Sequence, residues 1–168
     1  MIRFGIVLVL AVFISGCGYA PASYYAKNVI GESVSTEVVI SMEDPQNTVI
    51  IKDAVDTAVI TKFRTSLVSK SISKTHLKVA IESVTFTPLR YDTNGYVIAY
   101  RATVAMHFER SEGDKKPTQY SSHGMYDFVI EPNAILSDQV RFEAIRQGAQ
   151  KGIDSFIAQV AAEGANSK

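Results

Sequence analysis

Apolar positions in this chain recur with different periods, and each period predicts a different element. Phe4 to Ile14 is one apolar run broken only by Gly5, with Arg3 before it and Ser15-Gly16-Cys17 after it. The run is eleven residues long, whereas a helix crossing a hydrocarbon core takes about 20. A positive start, a short apolar stretch and small residues at its end are the parts of a secretory signal peptide. Residues 1–16 are therefore expected to be cleaved. Gly18 to Ser33 holds small residues, Pro21 and three tyrosines (Tyr19, Tyr24, Tyr25) with no sustained period, so residues 17–33 read as a tether.

From residue 34 the pattern becomes that of a folded domain. Val38, Val39 and Ile40 sit in a β-rich stretch from Val34 to Met42 that predicts a first strand. Asp44-Pro45 interrupts it, and Asn47 or Thr48 can cap a helix. Ile51, Val55, Val59, Phe63 and Leu67 then recur every four residues, with Ala54 and Ala58 beside them, while Lys52, Asp56, Lys62 and Arg64 fall elsewhere on the wheel. That stripe predicts an amphipathic helix over about 48–69 whose apolar side is core.

After a polar loop (Ser69–Thr75) the period changes to two. Leu77, Val79 and Ile81 alternate, and the apolar phase then flips to Val84 and Phe86. Tyr91-Asp92-Thr93-Asn94-Gly95 reads as a turn, with Gly95 free to take positive φ. Tyr96, Ile98, Tyr100, Ala102, Val104, Met106 and Phe108 follow on one face of a long strand, and Arg101, Thr103, His107 and Glu109 on the other. A turn over residues 93–95 places Val84 opposite Val104 and Phe86 opposite Ala102. Leu77 to Ile81 can share that buried face only if one extra residue is inserted near Glu82 or Ser83, because a one-residue slip turns every side chain over. A β-bulge is expected there.

Residues 111–118 form a charged hairpin loop, and a fourth strand carries Tyr120, Ser122, Gly124, Tyr126, Phe128 and Ile130 on one face until Glu131-Pro132-Asn133 stops it. Ser137 then caps a second helix with Asp138 favourable in its first turn. Val140, Ala144, Ile145, Ala149, Ile153, Phe156, Ile157 and Val160 make its stripe. Gly164 is expected to end it near Glu163, leaving 164–168 as a disordered tail. The order is strand-helix-strand-strand-strand-helix. An α+β domain over 34–163, with an antiparallel or mixed four-stranded sheet and both amphipathic helices packed on one face, buries both stripes.

Composition narrows the function. The chain has 17 basic and 17 acidic residues. Removing residues 1–16 from 168 leaves 152, a single-domain length. Near-neutral charge lacks the basic bias of a nucleic-acid binder, so no nucleic-acid partner is expected. No second long apolar stretch exists, so a membrane role must come from a tether or a partner. Cys17 is the only cysteine and cannot form an internal disulfide. Ile14-Ser15-Gly16-Cys17 resembles the bacterial lipobox, in which the cysteine is lipidated and becomes residue one. Each buried methylene contributes ~0.8 kcal/mol, so two or three acyl chains hold a protein on a membrane permanently.

The chemistry-bearing motifs are sparse. No Gly-rich phosphate loop joins a strand to a helix, no histidine pair sits on a helix, and no nucleophile elbow is present. Neither an enzyme nor a cofactor is expected. If the 111–118 hairpin sets Phe108 opposite Ser122, His107 faces His123 and Asp127 lies opposite Thr103. Two histidines and a carboxylate are metal-ligand types, but no third ligand is fixed, and solvated polar residues are the preferred reading; no metal site is expected. The same polar face holds Lys78, Glu82, Arg101 and Glu109, and nearby loops add Arg90, Arg110, Lys115 and Lys116. Basic groups at strand ends bind phosphate or carboxylate, arginine bidentately, although such charges more often only solubilise a sheet face.

Several segments together resemble one family. Cys17-Gly18-Tyr19 opens the mature chain and Glu43-Asp44-Pro45-Gln46-Asn47 precedes Ala54-Val55-x-x-Ala58. Leu77-Lys78-Val79, the Tyr91–Gly95 turn and Ala99-Tyr100-Arg101 follow, then Pro132-Asn133, Ala134-Ile135-Leu136 and Phe156-Ile157-Ala158-Gln159-Val160. In order and spacing, over most of residues 17–162, this is similar to the lipopolysaccharide-assembly lipoproteins, LptE. The resemblance implies a lipoprotein without catalytic residues on the periplasmic face of the outer membrane. Such a protein plugs the LptD β-barrel, assists its assembly and helps pass lipopolysaccharide to the cell surface. Gly18, in place of an aspartate after the cysteine, is similar to lipoproteins sorted outward. For contact with lipid A phosphates, strand geometry favours Lys78 and Arg101, then Arg90 and Arg110. The competing expectations are an auxiliary interaction lipoprotein of another envelope transport system and a metal-binding module using His107 and His123.

Overall fold

The structure is a computed structural model and describes residues 22–39, 45–131 and 134–166. Among these lie three helices, α1 (Ala22–Ile30), α2 (Pro45–Thr61) and α3 (Asp138–Asn166). Five strands accompany them: β1 (Ser33–Val39), β2 (Ser66–Leu67), β3 (Thr75–Tyr91), β4 (Val97–Glu112) and β5 (Thr118–Val129). The sheet order is β2-β1-β3-β4-β5. β3, β4 and β5 form an antiparallel meander, and β1 lies parallel to both β2 and β3. The sheet is thus mixed and has one strand more than expected. A parallel neighbour needs a crossover connection, which α2 supplies between β1 and β3.

The third helix lies in the stretch read as a tether. α1 has nine residues, below the length at which a helix holds itself in water, and packing against α3 supports it. Ala26 and Ile30 are fully buried, and Gly31, at φ 84°, turns the chain into β1. α2 starts at Pro45, a residue suited to the first helical position, slightly ahead of the expected Asn47 or Thr48 cap. It stops at Thr61, well short of residue 69, because Arg64 takes a left-handed φ of 54°. Phe63 continues the buried stripe beyond the helix, whereas Leu67 leaves it for β2 and is 38% exposed. α3 begins where Ser137 Oγ accepts from Val140 N at 3.5 Å. It does not end at Gly164 but runs on to Asn166.

The β3–β4 register matches the sequence reading: Val84 pairs with Val104 and Phe86 with Ala102. The step from Ile81–Met106 to Ser83–Ala105 leaves Glu82 as the extra residue of the bulge. A second irregularity sets Pro88 opposite Tyr100 and Arg90 opposite Ala99. Pro88 has no N–H to give a ladder. The turn also forms as expected, with Asp92 Oδ1 accepting from Asn94 N at 2.9 Å and Tyr96 N at 2.8 Å. The β4–β5 register corrects the expectation. Phe108 pairs with Tyr120, not Ser122, and Asp127 lies opposite Arg101, not Thr103.

α2 and α3 bury their stripes in one core with Leu77, Val79, Val104, Met106 and Phe108. Phe156 is its centre, stacked on Phe108 with ring centroids 4.1 Å apart and met edge-on by Tyr120 and Phe63. Along β5 the helix comes closer than any side chain would permit. A Cβ on Gly124 would fall within 3.0 Å of Gly148 O, Gly152 N and the Lys151 carbonyl carbon. Ser122 Oγ donates to Gly152 O at 2.8 Å across the same seam. Gly164, two residues before the end of α3, makes a similar close approach to Tyr25 O of α1. It is a packing glycine and not a stop signal.

Candidate interaction surface

Among the described residues all three helices engage one core, and none covers the opposite face of the sheet. Register places His76, Lys78, Thr85 and Thr87 of β3 there, Arg101, Thr103, His107 and Glu109 of β4 beside them, and Ser121, His123 and Asp127 on β5. Lys78 lies opposite Glu109, exposed, and belongs to none of the ion pairs among the described residues. Arg101 donates through Nε to Asp127 Oδ1 and through Nη2 to Oδ2, each at 2.7 Å. This fork holds the Asp127 carboxyl below the usual carboxylate range and the guanidinium above its own. The cation best shaped for phosphate is thus already shared with a carboxylate on its own face.

At one end of this face, Glu37, Lys70, Ser73, Lys74, His76 and Lys78 line a depression of about 400 Å³. Ser35 Oγ lies 2.9 Å from His76 Nδ1 and 2.8 Å from Ser73 Oγ, and His76 Nε2 lies 3.2 Å from Glu37. Burial is the largest single influence on Glu37 and raises its carboxyl, but Lys70, His76 and Lys78 together outweigh it, so the net direction is down. Serine, histidine and carboxylate in this order resemble a nucleophilic triad. Ser35, however, is 4% exposed, so no substrate carbonyl reaches its oxygen, and the chain of bonds ties β1 to β3. Sequence reading missed it. Its signal is the i, i+2 spacing of Ser35 and Glu37 on a strand beside His76.

The two histidines do not pair. His107 is opposite Ser121 and His123 opposite Ala105. His107 lies 3.3 Å from Ser121 Oγ and 3.1 Å from Gln119 Oε1. Among the described residues no three His, Cys, Asp or Glu side chains gather as metal ligands.

Arg110 is on the other face. It follows Phe108 inward with only 11% of its side chain exposed. It donates to Val29 O at 2.9 Å and to Glu163 Oε1 at 2.6 Å, while its buried Nε has no partner. Tyr120 donates its hydroxyl to the second Glu163 oxygen. Burial, then the Glu163 contact, pushes the Tyr120 phenol up to about 12. Arg110 therefore clamps α1, β4, β5 and α3 together. Arg90 sits at the far end of β3, exposed beside Leu89, Tyr91 and Tyr96. β4 has sixteen residues, so about 50 Å separates that end from the lysine depression. Cys17 lies outside the described residues.

The LptE family model, described as lipopolysaccharide-assembly, matches residues 36–160. The chain belongs to the LptE family. Lipopolysaccharide assembly is the role this membership supports. No curated sequence matches the chain. Solved structures that share the fold include the following two. A putative lipoprotein from Caulobacter crescentus has TM-score 0.55 and 6% identity, covering 86% of this chain and 98% of that one. A protein from Xanthomonas campestris has TM-score 0.53 and 9% identity, covering 82% and 88%. The rare lipoprotein B from Shewanella oneidensis is 15% identical over 81% of this chain and 92% of its own, at a TM-score of 0.45. No described helix of this LptE-family chain is long and apolar enough to cross a membrane.

Proposed function

We propose that this LptE-family chain is a lipoprotein acylated at Cys17 on the periplasmic face of the outer membrane. There it assists assembly of an LptD-type β-barrel, plugs it, and helps deliver lipopolysaccharide to the cell surface without catalysing a reaction. The family match over residues 36–160 carries this reading. The lipobox at 14–17 supports the anchor. The bare polar sheet face suits a plug, since a barrel lumen is wet. For lipid A phosphates the assigned contacts are Lys78, which has no ion-pair partner among the described residues, and Arg101, which must exchange Asp127 for phosphate. Arg90 at the distal end is next. Arg110 keeps its structural role in the clamp, and its side chain is the least suited of the four to a ligand.

Depleting the protein in its host and measuring surface lipopolysaccharide and folded barrel tests the proposal, which requires both to fall together. Mass spectrometry of the native product is the second arm. An unmodified Cys17, or recovery with an inner-membrane transporter in place of an outer-membrane barrel, overturns it.

A further inference from the structure

One loop remains unused by this reading. Residues 68–74 read Val-Ser-Lys-Ser-Ile-Ser-Lys and close on themselves, with Ile72 N donating to Ser69 O at 3.1 Å. Ile72 is held out at 69% exposure, with exposed Lys70 and Lys74 on either side. A single exposed aliphatic is ordinary on a protein surface; its setting is not. Residues 57–81 carry Lys62, Arg64, Lys70, Lys74 and Lys78 with no aspartate or glutamate. The nearest carboxylates are already engaged, Glu37 by Lys70 at 3.6 Å and His76 at 3.2 Å, and Glu112 by Lys115 at 3.1 Å. Glu32, Glu109 and Asp114 are the other acidic groups near this end, Glu109 lying opposite Lys78.

The chain enters the fold here too. Ser33 Oγ accepts from Lys74 N at 3.1 Å, so the start of β1 touches the loop. α1 contributes about 13 Å, and the five steps from Ala22 back to Cys17 add at most about 18 Å. With the three steps from Ile30 to Ser33, at most about 11 Å more, Cys17 lies within about 40 Å of this loop, whereas the Asp92–Gly95 turn is about 50 Å further along the sheet. We infer that the 68–74 loop seats the domain on the bilayer holding its lipid, with Ile72 entering the headgroup layer and Lys70 and Lys74 on lipid phosphates. An apolar tip between lysines has both elements of interfacial binding, buried apolar area and attraction to anionic lipid. The inference rests on acylation at Cys17.

The test uses the mature acylated protein in vesicles of phosphatidylethanolamine and phosphatidylglycerol. Because lipid consumes the thiol of the only native cysteine, I72C accepts a polarity-sensitive fluorophore selectively. The emission is expected to shift to the blue and resist an aqueous quencher, while a fluorophore on N94C stays in water. Each lysine strengthens contact with an anionic surface about fivefold, so adding K70Q and K74Q shifts the probe about 25-fold towards water. Phosphatidylcholine vesicles produce the same weakening. A quenched fluorophore at position 72 in protein of verified acyl mass, shielding at position 94 instead, or shielding that appears only with a barrel partner overturns the inference alone. A mass without acyl chains defeats the proposed function as well.

Discussion

Replacing Gly124 with alanine probes the seam on which α3 rests. The added Cβ would stand 2.9 Å from the Lys151 carbonyl carbon and nearer still to Gly148 O and Gly152 N. Ordinary contact begins at 3.4 Å and Gly148 O would stand at 2.0 Å, so the helix must lift by about 1.4 Å, and no flexible side chain stands in the way to absorb the shift. Overpacking of this kind costs about 1–3 kcal/mol. A gap of 0.5–1 Å also forfeits about a quarter to a half of each dispersion contact around it. Lifting further stretches the 2.8 Å bond from Ser122 Oγ to Gly152 O, a net contribution of about 1 kcal/mol. The sum is about 3 kcal/mol, a fall in Tm of about 6–12 °C for a domain of this size. Thermal unfolding followed by circular dichroism measures it, and hydrogen exchange should show the middle of α3 loosening first. Gly113→Ala is the control: φ is 52° but nothing lies within 4 Å of its added carbon, so only a backbone cost of about 1–2 kcal/mol remains. Equal losses from the two variants, or a Gly124→Ala domain as stable as the parent, would refute the close-packing argument.

Arg110→Met leaves Glu163 and the Val29 carbonyl without their cation and should cost about 2–3 kcal/mol, with α1 amides exchanging faster; adding Glu163→Gln should recover part of the loss, and an additive double variant refutes the coupling. Tyr120 is neutral in the fold beyond its ordinary pKa of 10, so its stabilisation is complete below pH 10 and disappears as pH rises through about 12. Ultraviolet titration should lose its latest phase in Tyr120→Phe, and an unchanged curve sinks the assignment. Asp127→Asn frees the Arg101 fork at an exposed pair, so Tm should move by less than about 4 °C while affinity for lipid A phosphate rises. Unchanged or weaker binding removes Arg101 from the contact surface.

Legibility followed what side-chain alternation can encode. The phase flip between Ile81 and Val84 predicted the bulge because a single-residue slip exposes a whole face. The β4–β5 register was misread by two residues. A slip of two keeps every side chain on its own face, so the alternation of β5 is equally satisfied by Phe108 opposite Ser122 or opposite Tyr120. That error alone created the apparent His107–His123 pair. α1 was passed over although Tyr25, Ala26, Val29 and Ile30 do recur at helical spacing, because a stripe confined to nine residues is short and lies among small residues and tyrosines. Arg110 looked like a surface charge, although its position two residues after Phe108 placed it on the inward side. Among the candidate contacts, exposure of Lys78, Arg101 and Arg90 was legible, and the Asp127 partner was not.

The docking of α1 against the last helix has a temporal meaning. Val29, Tyr25 and Ile30 find their seat on a surface that includes Glu163 and Gly164, residues made long after α1 itself. A chain exported from its amino end would thus carry a slack leash throughout translocation. The leash shortens only once the carboxyl-terminal turn of α3 arrives and the clamp closes. Truncating even that final turn would leave the front of the molecule undocked, however sound its sheet.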